Sequence, residues 1–167
     1  MTTRAATAED AAALAAIHVA SWRAAYAGLM PDSLLDGLDA TAFEARWSEA
    51  PSGDERAWAS ERDEELVGFV VFGSSRDTDA QPTTGEVLAL YVAPDHWGTG
   101  EGWELHARAI AELTHAGFRD ATLWVLESNA RARRFYERQG WAWDGVQKEE
   151  VVRGAPLTEV RYRRSLT

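Results

Sequence analysis

Cysteine is absent from the 167 residues, so neither a disulfide nor a thiolate metal site can hold the fold or carry the chemistry. Histidine is scarce. His18, His96, His106 and His115 show no HExxH spacing, which argues against zinc hydrolase chemistry, and no metal is expected. No apolar run approaches the ~20 residues needed to cross a bilayer, so no membrane contact is expected. The amino-terminal stretch has no basic segment followed by a long apolar one, so no signal peptide is expected and the default is a soluble cytoplasmic protein. Positive charge is in deficit, with 17 Lys and Arg against 27 Asp and Glu, a net −10. Broad nucleic-acid binding needs a basic surface to displace counterions, so no nucleic-acid partner is expected. The acidic balance is compatible with a cationic substrate, or with solubility alone.

What is present suits a single domain over residues 1–167, with 46% hydrophobic residues to build a core. Thr2–Ala6 reads as a first strand. Thr7 and Asp10 stand at capping-box spacing before an alanine-rich helix from Ala8 to about Ala27. Pro31 opens a second helical region, with Phe43 and Trp47 at i, i+4. Ala57–Glu61 and Leu66–Phe72 read as strands joined by an acidic turn at Asp63–Glu64. The segment 74–84, SSRDTDAQPTT, reads as a loop. Val87–Val92 is nearly all apolar, which predicts a central strand covered on both faces. Trp103–Ala116 is helical, with Leu105, Ala109 and Leu113 on one stripe and Gly117 placed to end it. Ala121–Leu126, a helix over Ala130–Gln139, and strands over Trp141–Glu150 and Leu157–Arg164 complete a mixed α/β layering of a sheet and flanking helices.

The stretch HWGTGEG, residues 96–102, is the first with chemical content. Glycines between an apolar strand and a helix let backbone N–H groups close around an anion. A Walker A loop would need a Gly-Lys-Ser/Thr ending, which is missing. A dinucleotide fingerprint starting at Gly98 would need glycine where Trp103 stands. A loop for the pyrophosphate of coenzyme A, or an ordinary strand-to-helix turn, remains.

LYVAPDHWGTGEGWELHARAI (residues 90–110) followed by LWVLESNARARRFYERQGW (residues 123–141) resembles the GNAT acetyltransferase superfamily. Gly100 and Gly102 take the two glycine places of that family's Arg/Gln-x-x-Gly-x-Gly/Ala loop. Asn129, Phe135, Tyr136 and Gly140 match its following helix, and SWRAAYAGLMP (residues 21–31) looks like the first-helix region of many bacterial members. The resemblance implies a mixed, mostly antiparallel central sheet flanked by helices. It also implies transfer of an acetyl group from acetyl-CoA to a primary amine of a small molecule or peptide. The pantetheine arm would lie along Val87–Val92, and backbone N–H groups around Leu90, Tyr91 and Val92 would polarise the thioester carbonyl. The pyrophosphate would rest on Trp97, Gly98, Thr99, Gly100, Glu101 and Gly102, at the positive end of the next helix. Asn129 would hydrogen-bond the cofactor, cap its helix, or both.

Tyr136 is the candidate general acid, since a phenol of pKa ~10 is well matched to a departing thiolate; the alternative is a core tyrosine on an amphipathic helix. Glu86, alternating with Leu88 and Leu90, is the candidate base or water-positioner, or else a solvated strand-start carboxylate. Trp22 and Tyr26 are candidate walls of the acceptor site, or a core stripe. His18 is at least as well explained by packing. Arg131, Arg133 and Arg134 form a basic patch that is either a solvated face or a source of one contact to a coenzyme phosphate. A homodimer is compatible with this reading.

Three positions depart from the family pattern. Trp97 replaces Arg or Gln, Trp103 stands where a basic residue is frequent, and Glu101 stands where the family has an aliphatic residue. If Glu101 faces the pyrophosphate, it opposes binding by on the order of 1 kcal/mol. If it points into the sheet, it is a buried charge that needs a partner. Either way the loop's hold on the coenzyme is weaker or more strained than usual, and the alternative to the enzyme is a degenerate member that binds acyl-CoA or a partner protein without turnover. Glu101→Val is expected to tighten coenzyme binding about fivefold by calorimetry, a gain that shrinks at high salt if Glu101 is exposed and persists if it is buried; unchanged or weaker binding would mean that Glu101 already has a cationic partner.

Overall fold

The computed structural model describes all residues except 50–52 and 153. Its elements run β1 (Thr2–Ala5), α1 (Ala11–Tyr26), α2 (Asp32–Asp36), α3 (Ala40–Ser48), β2 (Arg56–Arg62), β3 (Glu65–Ser74), β4 (Thr84–Val92), α4 (Glu101–His115), β5 (Asp120–Leu126), α5 (Ala130–Arg138), β6 (Ala142–Val152) and β7 (Ala155–Ser165). The strands form one seven-stranded sheet in the order β1-β2-β3-β4-β5-β7-β6. Every neighbouring pair is antiparallel except β4 and β5, which run parallel. This is the mixed, mostly antiparallel α/β sheet with flanking helices that the sequence implied.

Local chemistry explains most boundaries. Asp63 and Glu64 both take positive φ, 52° and 67°, as a two-residue hairpin with right-handed twist requires. The helix expected from Ala8 begins as a 3-10 turn over Ala8–Asp10 and becomes α-helical only at Ala11. The Asp10 carboxylate accepts the Thr7 N–H at 2.8 Å, as the capping-box spacing predicts, and it also takes two hydrogen bonds from Arg4. The region after Pro31 is two short helices rather than one; Asp39 starts the second by accepting from the Thr41 N–H at 2.9 Å.

One face of the sheet is covered by α4 and α5. Leu105, Ala109 and Leu113, the stripe read from the sequence, are sealed against Val70, Val87 and Leu123. The other face carries α1, whose Leu14 and Ile17 pack on Phe69 and Val71, while Val19 and Tyr26 meet the leucines of and after α2.

Strand β4 departs from expectation in two ways. It is central, but only its first half is covered: Thr84–Val87 are buried, and Leu88–Val92 are half-buried. It is also bulged. Phe72 pairs with Val87 and Val71 with Ala89, so Leu88 is an extra residue. The bulge breaks the expected Glu86-Leu88-Leu90 alternation. Val87, Leu90 and Val92 face α4, whereas Leu88, Ala89 and Tyr91 pack with the cluster under α1. By the same register Glu86, opposite Gly73, belongs to the α1 side.

Leu105 is the best single probe of this core, because it is fully buried between α4 and the sheet. Leu105→Ala should lower the unfolding free energy by about 2–5 kcal/mol. Urea titration should show a lower midpoint at unchanged slope.

Candidate active site

Strands β4 and β5 pair only over Thr84–Glu86 against Asp120–Thr122, and then separate. Beyond Glu86, β4 hydrogen-bonds to β3 on one side and faces a gap on the other. The gap opens into a cleft of about 700 Å³ that gathers Trp22 and Tyr26 of α1, Glu86–Val92 of β4, Trp97, Trp124–Leu126 of β5, and Asn129, Arg131 and Tyr136 at α5. The cleft thus collects residues that the sequence nominated from four separate segments.

On the α1 side, Glu86 is buried at the root of the gap. Its carboxylate accepts the Arg76 N–H at 2.8 Å and the Ser75 hydroxyl at 3.4 Å, and the Arg76 guanidinium stands 3.9 Å away. Burial nevertheless pushes its pKa above the ordinary glutamate value, against the pull of the Arg76 amide and charge. Glu86 is thus a buried carboxylate and not a solvated one at the strand start. Trp22 and Tyr26 meet edge to face at 5.0 Å, and the Trp22 indole N–H donates to the Tyr91 hydroxyl at 3.1 Å. The Tyr91 side chain is committed behind the strand, stacked on His18 at 4.5 Å, so only its backbone faces the gap. His18 is buried, lies 4.1 Å from the Phe43 ring, and has its pKa lowered to about 4 by burial and by Arg46. It is a packing residue, outside the cleft lining.

On the α5 side, Tyr136 is half-buried, with its ring against Phe135 and Trp141. Its hydroxyl has no hydrogen-bond partner among the described residues. Burial, with smaller effects from Tyr91 and Tyr26, raises its pKa well above that of a free phenol and keeps it protonated. Asn129 caps α5 by accepting the Ala132 N–H at 3.1 Å, so its capping role is present, and it still lines the cleft.

The glycine loop leaves the cleft at Trp97. The Trp97 indole N–H donates to the Val92 carbonyl at 2.8 Å, which pins the loop to the end of β4. Gly98 and Gly100 take φ of +79° and +104°, and a Cβ at either would meet nothing within 4 Å, so the outer surface of the loop is open. Glu101 is the second residue after Gly100's neighbour Thr99 and opens α4.

Glu101 turns inward. It is completely buried, and Arg62, at the end of β2, reaches its Oε1 with Nη2 at 2.6 Å and Nε at 2.8 Å. The Thr99 hydroxyl donates to the other oxygen. Burial works against ionisation, but these hydrogen bonds prevail and the pKa lies below that of an ordinary glutamate. The carboxylate therefore does not oppose an anion on the loop, and the expectation of a strained phosphate site is corrected: of the two cases, the buried charge with a partner is the one observed. Trp103 is exposed on the outer side of α4.

Several contributors carry no local sequence signal. Arg62 lies 39 residues from Glu101, and only the requirement that a buried carboxylate have a cation could have pointed to it. The β3–β4 loop supplies the Arg76 amide and Asp77. It is held by Arg161 of β7, which bonds Asp79 at 2.7 and 2.9 Å, Asp77 at 3.2 Å and Asp144 of β6 at 2.7 Å. Lys148 lies over the Trp124 ring at 4.2 Å and 3.4 Å from Glu159, lining the far wall. No group of three or more metal-ligating side chains occurs among the described residues, and no described helix is long and apolar enough to cross a membrane.

A bulged central strand, a one-sided gap beside it and a glycine turn into the following helix define a mixed α/β protein with a cleft at its central strand. Residues 14–141 match the acetyltransferase (GNAT) family model, and the chain belongs to that family. It is 32% identical over 164 residues to a protein of Mycobacterium tuberculosis named probable N-acetyltransferase Rv2775, covering 96% of this chain and 91% of that one. It is 31% identical over 131 residues to the uncharacterized N-acetyltransferase YuaI of Bacillus subtilis, covering 77% and 73%. Among solved structures, PaiA N-acetyltransferase from Thermoplasma acidophilum in complex with coenzyme A superposes with a TM-score of 0.72 at 19% identity, covering 99% of each chain. YncA from Salmonella typhimurium with its cofactor acetyl-CoA gives 0.75 at 25%, covering 100% and 94%.

The Arg62–Glu101 pair predicts an asymmetric pair of variants. Arg62→Ala strands a buried carboxylate and should cost roughly 3 kcal/mol, the low end for a broken buried pair because solvent reaches Arg62. Glu101→Val leaves an arginine that can reach water and should cost much less. Because the folded-state pKa of Glu101 is depressed, its contribution is present above the unfolded glutamate pKa and lost as pH falls through the folded value. Denaturant titrations from pH 7 down to pH 3 should therefore show a shallower loss in Glu101→Val than in the wild type.

Proposed function

We propose that the chain moves an acetyl group from acetyl-CoA to a primary amine of a small molecule or peptide, by direct transfer in the gap between β4 and β5. The observation that carries this reading is that the gap joins the two faces of the sheet. Glu86 stands at its root on the α1 side, and Tyr136 stands on the α5 side. An amine entering past Trp22 and Tyr26 and a thioester lying along β4 would meet there.

The residues fit such a cosubstrate. Leu88–Val92 offer an unpaired strand edge, and the open glycine turn offers amides at the start of α4. Acetyl-CoA brings an activated acyl group whose leaving atom is a thiolate sulfur. Glu86, directly or through a water, takes a proton from the ammonium so that the nitrogen lone pair can attack the carbonyl carbon. Backbone N–H groups of β4 around Leu90–Val92 hold the developing negative oxygen. Tyr136 gives its proton to the sulfur as the carbon–sulfur bond breaks, its raised pKa keeping that proton in place until charge appears on sulfur, and the second proton lost by the acylated nitrogen passes through water to restore the phenol. The reading of a binding protein without turnover was motivated by Glu101 opposing the phosphates. With that carboxylate paired to Arg62, the motive is gone.

Thiol release from acetyl-CoA across a broad panel of amines is the direct test. Release with no amine, together with no calorimetric binding at millimolar coenzyme, would sink the proposal. Tyr136→Phe should lower kcat by about 10²–10⁴-fold with coenzyme affinity held within about twofold. Glu86 should give kcat/KM a limb that rises with pH through a carboxylate pKa displaced upward, and Glu86→Gln should remove that limb.

A further inference from the structure

The basic patch read from the sequence does not behave as a unit. Arg133 is engaged, donating to the Tyr162 hydroxyl at 2.9 Å and the Glu127 carbonyl at 3.0 Å. Arg131 is different. Its guanidinium carbon lies over the Trp97 ring, 3.7 Å from the centroid, at the side of the cleft where the glycine loop begins. Among the described residues it has no carboxylate partner. Partial burial against the indole pulls its pKa below the ordinary arginine value, as expected for a cation that has lost water without gaining an anion.

Trp97 occupies the place where the family pattern has Arg or Gln. A tryptophan has one polar hydrogen, and here it is used on the Val92 carbonyl. The first loop position therefore has no donor left for an anion. The same ring, fixed by that hydrogen bond, presents its face to Arg131. A cation nevertheless stands beside the loop, supplied by the next helix but one and held on the ring of the loop's own tryptophan.

We infer that Arg131, held on the Trp97 ring, binds a phosphate of the coenzyme at the mouth of the β4–β5 cleft. This rests on the acetyl-CoA reading above. None of its N–H groups is engaged by another described residue, so all remain available to an anion, and contact with the ring reduces the side-chain freedom to be lost on binding. The neutralisation of Glu101 by Arg62 leaves this cation unopposed by the loop's own carboxylate.

Calorimetry with coenzyme A and with dephospho-coenzyme A, on the wild-type chain and on Arg131→Gln, tests this. Arg131 is exposed, and the variant should keep the wild-type unfolding midpoint. Arg131→Gln should bind coenzyme A about tenfold more weakly, and its affinity should fall less steeply with added salt. A loss confined to coenzyme A assigns the contact to the 3′-phosphate; an equal loss with both assigns it to the pyrophosphate. Binding of both within twofold of the wild type overturns the inference and leaves the acetyl-CoA reading intact. A wild-type chain that binds neither coenzyme overturns both.

Discussion

The separation of β4 from β5 after three paired residues is the constraint on which the site depends. A continuous sheet is a wall, since its two faces are divided by a hydrogen-bonded backbone that no side chain can cross. Here the wall has a slot. Parallel pairing stops at Glu86 and Thr122, the bulge at Leu88 turns the strand, and β5 goes on to complete its ladder with β7 alone. Polar backbone left unpaired in an interior would be destabilising, so such a slot persists only where it opens to solvent or to a ligand. Groups on opposite faces can then act on one bound molecule, with Glu86 beneath α1 and Tyr136 beneath α5 as the two that flank it.

Charge is handled close to where it arises. Glu101 is neutralised by Arg62 and Thr99 inside the fold, Arg161 is enclosed by three aspartates, and Lys148 lies between Glu159 and the face of Trp124. The net −10 therefore says little about the cleft, whose lining mixes Arg46, Arg76 and Lys148 with Glu86, Glu150 and Glu159.

Periodicity and turn chemistry made much of the fold readable beforehand. The Leu105-Ala109-Leu113 stripe, the Asp63–Glu64 turn, Asn129 as a cap and Gly117 after α4 all act through neighbours within a few residues, which is the range over which sequence carries meaning. The failures share the opposite property. The bulge at Leu88 exists because β3 and β4 pair out of step, and nothing in VLAL, residues 87–90, announces an extra residue. The exposure of Leu88–Val92 follows from where β5 goes, so an apolar run that resembles a covered strand is instead a cleft wall. The partner of Glu101 is 39 residues away, and the β7 arginine that fixes the β3–β4 loop is more distant still. Candidate site residues were legible as identities; their facing directions were not.

Arg161 has a consequence for how the cleft meets its acceptor. The β3–β4 loop contributes Arg76 and Asp77 to the wall, and loops of that polar composition ordinarily fluctuate. Here three hydrogen bonds from one buried guanidinium, itself anchored on Asp144 of β6, and a fourth from the Trp124 indole to Asp77 at 2.9 Å, hold it in the free protein. The wall is thus ordered before anything arrives. A molecule entering the cleft meets a preformed surface and gives up only its own freedom, and the conformational entropy of the loop was already lost when the chain folded.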